Sequence, residues 1–250
     1  MDPATIIVVP CFNEAARLDV SAFARFVEAE DRYRFLFVDD GSQDNTGQLL
    51  ESLVRDHPHH FQVLRLDRNR GKAEAVRRGL LAALDQGPAA VGFWDADLAT
   101  PLESLADFTS VMETRPSVSI VMGARVKLLG TDVHRSLGRH YIGRLFATAV
   151  SLILRLPVYD TQCGAKLLRA NGEIRQTLES PFITRWIFDV EILARFSLGR
   201  GGLGLPEVEM AIHELPLPTW HDVAGSRIRI RDFIRAPLDV LRIWWVYGRR

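Results

Sequence analysis

Val91-Gly92-Phe93-Trp94-Asp95-Ala96-Asp97 reads as a short buried strand that runs into two carboxylates. In an extended chain, residues two apart point the same way, so Asp95 and Asp97 share one side of the strand's C-terminal end. Open α/β sheets bind their ligands at that end. A pair of carboxylates offers only oxygen, which suits a hard divalent cation, Mg²⁺ or Mn²⁺, and such a cation suits a diphosphate. An acidic turn closing a strand is the plain alternative, and an isolated Asp-x-Asp does not decide between them. The surrounding chain does.

Upstream, three more segments repeat the design. Thr5-Ile6-Ile7-Val8-Val9-Pro10 is a β-branched run closed by proline, as expected of a buried parallel strand. Arg34-Phe35-Leu36-Phe37-Val38 and Phe61-Gln62-Val63-Leu64-Arg65-Leu66 read as the second and third strands. Each ends in a polar loop, and amphipathic helices follow over about 15–30, to about 55, and over about 72–86. Asn13 is the expected cap of the first. Four β-α units within about a hundred residues predict an α/β protein with a doubly wound, mainly parallel, Rossmann-like sheet. Downstream, the pattern predicts a helix over 102–114 and a strand over 118–125 that delivers Arg125. A polar loop over 126–135 and a basic-edged helix over 136–156 come next. Then follow a loop and short strand over 159–169, a helix over 183–198 and a strand over 205–213. The expected organisation is one domain over 1–217, in two halves (1–100 and 101–217), and a basic amphipathic tail over 218–250.

Composition excludes some classes. The 250 residues are 47% hydrophobic and 25% charged, with zero formal net charge, so no whole-molecule field points to nucleic acid. Charge is nonetheless uneven. Residues 225–250 hold seven arginines against Asp232 and Asp239. Residues 125–155 hold Arg125, Lys127, Arg135, Arg139, Arg144 and Arg155 against Asp132. Both segments are also apolar, as expected of a surface facing an anionic or membrane-bound partner. In the tail, Phe233, Ile234, Leu238, Leu241, Trp244 and Trp245 fall on roughly one helical face, interrupted by Pro237, as in a helix that lies on a bilayer. The alternative is a helix docked on the domain's own core. No apolar run approaches the ~20 residues that span a membrane. Cys11 and Cys163 lack metal-type spacing, no secretory signal precedes the first strand, and a reducing, cytoplasmic setting is the expectation.

Two other loops bear on chemistry. Asp39 and Asp40 close the second strand, where a carboxylate can accept from a base N–H or a ribose hydroxyl. A helix-capping turn is the other reading. Arg68-Asn69-Arg70-Gly71-Lys72 sets cations and a glycine at a helix start, a phosphate site or a solvated basic turn. Gly199-Arg200-Gly201-Gly202-Leu203-Gly204 matches G-x-G-x-x-G but follows a predicted helix and precedes a strand, so turn glycines suffice.

Taken in order, Val9-Pro10-Cys11-Phe12-Asn13-Glu14, Val38 to Thr46, Asn69-Arg70-Gly71-Lys72 and Asp95-Ala96-Asp97 resemble the family 2 glycosyltransferases, which have the GT-A fold. Asp95 to Thr100, Gly123-Ala124-Arg125, Arg135 to Arg139, Asp160 to Lys166, Trp186 to Glu191 and Gly225-Ser226-Arg227 look like the dolichyl-phosphate β-glucosyltransferase branch. The resemblance implies that Pro10, Phe12, Glu14, Asp39 and Asp40 frame the nucleotide, with Asn69, Lys72 and Ala96 beside the donor. It implies that Asp95 and Asp97 hold the metal and diphosphate, Asp97 more directly. Arg125 and Arg139 resemble the arginines that receive an acceptor phosphate, with Arg135 and Arg227 beside them. The chain departs from mannosyltransferase relatives at Ala99, where many carry a glutamine. It also lacks membrane-spanning segments found in many relatives, so a lipid would be approached peripherally, at the inner face of the membrane.

The implied reaction is inverting, metal-dependent transfer of a hexose, glucose by the subfamily resemblance, from a UDP-linked donor to a polyprenyl phosphate. A phosphate monoester, with a second pKa of roughly 6, is largely ionised at pH 7 and needs positioning cations rather than a base. A hydroxyl acceptor would need a base, and Asp189 or Glu191 would serve. With a phosphate acceptor those two carboxylates become structural or pair with cations. Other readings are a sugar-1-phosphate nucleotidyltransferase, against which stands the absence of a glycine-rich triphosphate loop after the first strand, and an inactive nucleotide-sugar-binding module.

Overall fold

The structure is a computed structural model that describes residues 5–127, 129–130, 132–134, 137–221, 223 and 230–248, with the backbone alone for 134, 137–142 and 230–236. Its first half follows the expected alternation: β1 (Thr5–Cys11), α1 (Val20–Ala29), β2 (Tyr33–Asp39), α2 (Thr46–Asp56), β3 (Phe61–Arg65), α3 (Lys72–Leu84) and β4 (Ala90–Trp94). A 3₁₀ turn (Leu102–Ser104) leads into α4 (Leu105–Thr114), then β5 (Ile120–Ala124), β6 (Asp132–His134), α5 (Leu137–Leu154), β7 (Ala165–Arg169) and α6 (Gly172–Glu179). The chain continues through α7 (Phe188–Gly199), α8 (Pro206–Ala211), β8 (Ile212–Pro216), β9 (Thr219–His221) and α9 (Ile230–Tyr247).

Seven strands form one sheet in the order β3-β2-β1-β4-β7-β5-β8, and β6 pairs with β9 in a small second sheet. All neighbours in the large sheet run parallel except β7, which is antiparallel to both β4 and β5. Alternation along each strand feeds two cores. Ile6, Val8, Val91 and Phe93 face one layer with Val76 and Leu80 of α3 and Val190 and Leu193 of α7. Ile7, Val9 and Trp94 face the other, with Phe23 of α1, Leu50 of α2 and Phe108 of α4. Burying both faces is why these strands read as unbroken apolar runs.

Several sequence expectations need correction. The expected strand over 205–213 is α8 followed by β8: Pro206 occupies the start of the helix, and Glu207 and Glu209 suit its positive end. Gly199–Gly204 therefore links two helices rather than a helix and a strand, and still opens no βαβ unit. The 126–135 loop contains β6. Asn13 does not cap α1. Asp19 does, accepting from Ala22 N at 3.0 Å, while Asn13 takes a left-handed φ of 50°. α6 was not expected; Asn171 starts it by accepting from Ile174 N at 2.9 Å. Pro237 does not interrupt the tail helix. α9 packs on α5 and α7, burying Val240 and Ile243 and leaving Leu238, Leu241 and Trp245 exposed. Among the described residues no helix is long and apolar enough to cross a membrane.

Candidate active site

The C-terminal ends of β1, β2, β4 and β5 share one edge of the sheet, and the antiparallel β7 brings its own entry loop, residues 160–164, to that same edge. Register places Cys11 opposite Asp39, and Asp40 N donates to Cys11 O at 2.8 Å. The loops that follow are tied together. Asn13 N donates to Ser42 Oγ at 2.9 Å, Asn13 Oδ1 accepts from Gln43 N at 2.7 Å, and Glu14 N donates to Thr46 Oγ1 at 2.7 Å. Glu14 is buried and its carboxylate is paired with Arg17 at 2.8 Å. Pro10 and Phe12 are half-buried on this wall.

Asp39 Oδ1 accepts from Ser42 N at 2.9 Å. Asp40 is buried, and its two oxygens accept from Arg70 N at 2.6 Å and Gly71 N at 2.8 Å. Burial is the largest influence on Asp40 and pushes its carboxyl above the ordinary value despite those two N–H donors. Both carboxylates thus shape loops, Asp40 by fastening the 67–71 loop over the end of β2. Gly41 permits the fit: its φ is +70°, and a Cβ there would lie 2.6–2.7 Å from the backbone of Arg68 and Asn69. Asn69 is exposed on that loop.

The loop delivers Lys72 to the first turn of α3. Its Nζ meets Asp95 Oδ1 at 2.5 Å, both side chains about a third exposed. Burial draws the Lys72 ammonium down, but Asp95, Asp189 and Asp97 outweigh it and lift its pKa above the usual lysine value. Asp97, two residues beyond Asp95, is held up by burial and then by the charge of Asp95, against Ala99 N, Lys72 and Arg17. Between them Ala96 is buried in the core. Asp95 N donates to Gly164 O at 3.0 Å, and a Cβ on Gly164 would enter the Asp95 carboxylate.

From Gly164 the rim continues to Arg125 at the end of β5. Asp160 accepts from Arg125 Nε at 2.6 Å, Nη2 at 2.8 Å and its backbone N at 3.1 Å. Nη1 takes no part in this fork. Burial works against the Arg125 charge, but Asp160 outweighs it and raises the pKa further. The indole of Trp220 lies 5.3 Å from the guanidinium carbon. Behind Asp160, Glu214 accepts from Asp160 N and Tyr159 N, both at 2.7 Å. Of the other arginines expected at the acceptor, Arg139 lies in the first turn of α5 with its side chain outside the described residues, and Arg135 and Arg227 lie outside them altogether.

The two reserve carboxylates part company. Asp189 meets the fully buried Lys166 at 2.5 Å, and Lys166 also donates to Thr161 O at 3.0 Å and Cys163 O at 2.7 Å. Burial raises the Asp189 carboxyl, opposed first by the charge of Lys166 and then by that of Lys72. Glu191 is different. It has no exposed surface and accepts from Ile183 N, Thr184 N, Thr184 Oγ1, Arg195 Nη2 and Tyr247 Oη at 2.6–3.3 Å. A carboxylate so occupied has no oxygen left to take a proton from a substrate. It joins α7, the 183–184 loop and the end of α9.

Sequence reasoning gave no role to Arg17, Asp160, Gly164, Lys166 or Arg185. Arg185 donates to Arg70 O at 3.3 Å and stands beside Gly71 at the start of α3. Asp160, Gly164 and Lys166 lie in the Asp160–Lys166 stretch that carries part of the family resemblance, but only the antiparallel strand shows which edge it reaches.

The model of glycosyl transferase family 2 matches residues 6–172. A dolichyl-phosphate β-glucosyltransferase of Dictyostelium discoideum is 30% identical over 255 residues, covering 96% of this chain and 74% of its own length. One of Saccharomyces cerevisiae is 31% identical over 264 residues, with the same two coverages. The crystal structure of glucosyl-3-phosphoglycerate synthase from Mycobacterium tuberculosis with Mn²⁺ and UDP-glucose superposes with a TM-score of 0.69 at 18% identity, covering 98% of this chain and 79% of that one. The shared architecture is the GT-A fold.

Proposed function

The chain belongs to glycosyl transferase family 2, and from that membership we propose that it transfers glucose from UDP-glucose to a dolichyl or other polyprenyl phosphate with inversion. The observation that carries this reading is the rim of contacts from Asp40 through Lys72, Asp95 and Gly164 to Arg125. In this reading the Lys72–Asp95 end of the rim takes the diphosphate and the Arg125 end takes the acceptor phosphate.

The residues fit a divalent cation. Asp97 is an acid destabilised by burial and by Asp95, a like-charge strain that a cation relieves. No cluster of three or more acidic, histidine or cysteine ligands occurs among the described residues, so water and diphosphate oxygens would complete the shell, as suits Mg²⁺ or Mn²⁺. When bound, the cation neutralises charge on the leaving diphosphate. Lys72, at a helix N-terminus, adds a second positive charge there. Asp160 fixes the Arg125 guanidinium so that Nη1 can receive the acceptor phosphate. The acceptor oxygen forms the new bond to the anomeric carbon as the bond to the diphosphate breaks, and UDP leaves with the electron pair. A monoester oxygen already ionised needs no base, which agrees with the burial of Glu191 and the engagement of Asp189 by Lys166.

Membrane contact is part of the same reading. Leu145 and Leu152 on α5 and Leu238, Leu241 and Trp245 on the adjoining α9 are exposed apolar side chains, and the segments carrying them are rich in arginine. This supports peripheral attachment at the cytoplasmic face through an interfacial helix. The test compares a short-chain polyprenyl phosphate with the matching polyprenol, using UDP- and GDP-hexoses in detergent. Transfer from UDP-glucose to the phosphate alone supports the proposal; transfer to the alcohol overturns the acceptor assignment.

A further inference from the structure

Three buried side-chain atoms of the described residues lack any hydrogen-bond partner: Arg70 Nε, Thr161 Oγ1 and Gln162 Nε2. A buried donor left alone costs about 1–3 kcal/mol, so folded proteins rarely keep one without a use. These three are not scattered. Arg70 belongs to the loop that Asp40 fastens beside Lys72, and Thr161 and Gln162 belong to the loop that enters β7.

The second loop is held along its backbone and at Asp160, leaving the Thr161 hydroxyl and the Gln162 amide without partners. Asp160 is gripped by Arg125, Thr161 O and Cys163 O by Lys166, Gly164 O by Asp95 N, and Gln162 N itself donates to Asp160 Oδ1 at 3.1 Å. Relaxation of the backbone therefore cannot easily satisfy the free amide. Its place is also defined. On one side the loop is fastened to Arg125, at the acceptor end of the cleft. On the other it is fastened to Asp95, at the diphosphate end. The group that must lie between an arriving phosphate and a departing diphosphate is the hexose.

We propose that Gln162 is a specificity-determining residue for the transferred sugar: a turn of its half-buried side chain brings the enclosed, unpartnered Nε2 out to donate a hydrogen bond to a hexose hydroxyl from the loop between Arg125 and Asp95. The inference rests on the donor reading above. A site that hydrogen-bonds a substrate hydroxyl discriminates against sugars that cannot fill it, because the amide is then left unpaired again.

The test measures binding of UDP-glucose and of UDP, each with Mn²⁺, to the wild type, Gln162→Leu and Gln162→Glu. Leucine keeps the bulk without the donor; glutamate keeps the length and replaces the donor with an acceptor. The expected result is an increase of about tenfold in the Kd for UDP-glucose in both variants, with the Kd for UDP unchanged, and a reduced preference for UDP-glucose over UDP-galactose and UDP-xylose. A merely structural glutamine would weaken UDP and UDP-glucose together, and that outcome overturns the inference. So does an unchanged ratio of the two in variants whose wild-type parent binds UDP-glucose normally, which leaves the donor reading standing. A wild type that binds no UDP-hexose in the presence of metal overturns both.

Discussion

Gly164→Ala isolates how tightly the cleft is built. The backbone of Gly164 is not in a left-handed conformation, so alanine introduces no strain of its own. The added methyl instead meets one group. Its nearest atoms would all belong to the Asp95 carboxylate, with Oδ1 at 2.7 Å and Cγ and Oδ2 closer still. The carboxylate must retreat by about 1 Å or more to reach ordinary contact, and a misplacement of that size in a positioned group can lower turnover about 100-fold. The retreat also breaks the Lys72–Asp95 pair, formed at 2.5 Å. That pair is partly solvated, so the fold loses little, and the overpacking itself should cost about 1–3 kcal/mol. The assay is kcat and the half-saturating Mn²⁺ concentration for Gly164→Ala, Asp95→Ala and the double variant, with denaturant unfolding alongside. Because the methyl acts through Asp95, the double variant should be no worse than Asp95→Ala, a clear failure of additivity. Wild-type turnover in Gly164→Ala, or additive losses in the double variant, would show that the methyl does not act through Asp95.

Other perturbations separate scaffold from chemistry. Glu191→Ala leaves the half-buried Arg195 without its carboxylate and should lower stability by about 3 kcal/mol in denaturant unfolding, whereas Tyr247→Phe removes the hydrogen bond to Glu191 and the one accepted from Arg195 Nε and should cost about 1–2 kcal/mol with kcat unchanged. Asp160→Ala strands the Arg125 guanidinium and should cost about 3 kcal/mol together with a sharp rise in KM for the lipid phosphate but not for the nucleotide sugar. Burial, then Arg115 at 3.2 Å, hold the His213 imidazole below its ordinary value. The unfolded chain therefore takes up a proton first as pH falls, so this contribution to stability is complete above the ordinary histidine value and declines below about pH 6.5; unfolding titrations of His213→Asn should show a flatter profile there.

Much of the N-terminal half was legible in the sequence because parallel strands buried on both faces announce themselves as apolar runs, and their C-terminal loops are where polar clusters collect. Asp39, Asp40, Lys72, Asp95 and Asp97 were found in this way, and the structure brings them to one edge. Periodicity could not supply what depends on strand direction. Ala165–Arg169 looks the same whether parallel or antiparallel, yet only the antiparallel insertion between β4 and β5 carries Asp160, Gln162 and Gly164 to that edge. Nor could spacing assign Glu191. It lies two residues from Asp189 in sequence, but the first turn of α7 sends one carboxylate towards Lys166 and the other to the Arg195–Tyr247 cluster. At 206–211 the buried positions Val208 and Ala211 are three apart, the spacing of one helix face rather than of a strand, and Pro206 suits the helix start.

In the proposed reaction Asp97 and its neighbours hold a metal–diphosphate opposite a phosphate acceptor. The most direct measurement is release of UDP from UDP-glucose by the purified protein, with and without Mn²⁺ or Mg²⁺ and with and without a short-chain polyprenyl phosphate, for the wild type and Asp97→Asn. Release should require the metal, rise steeply with the lipid phosphate and fall at least 100-fold in Asp97→Asn, in line with loss of electrostatic stabilisation of the leaving group. Release that persists in chelator, or that is equally fast in Asp97→Asn, would contradict the proposed reaction.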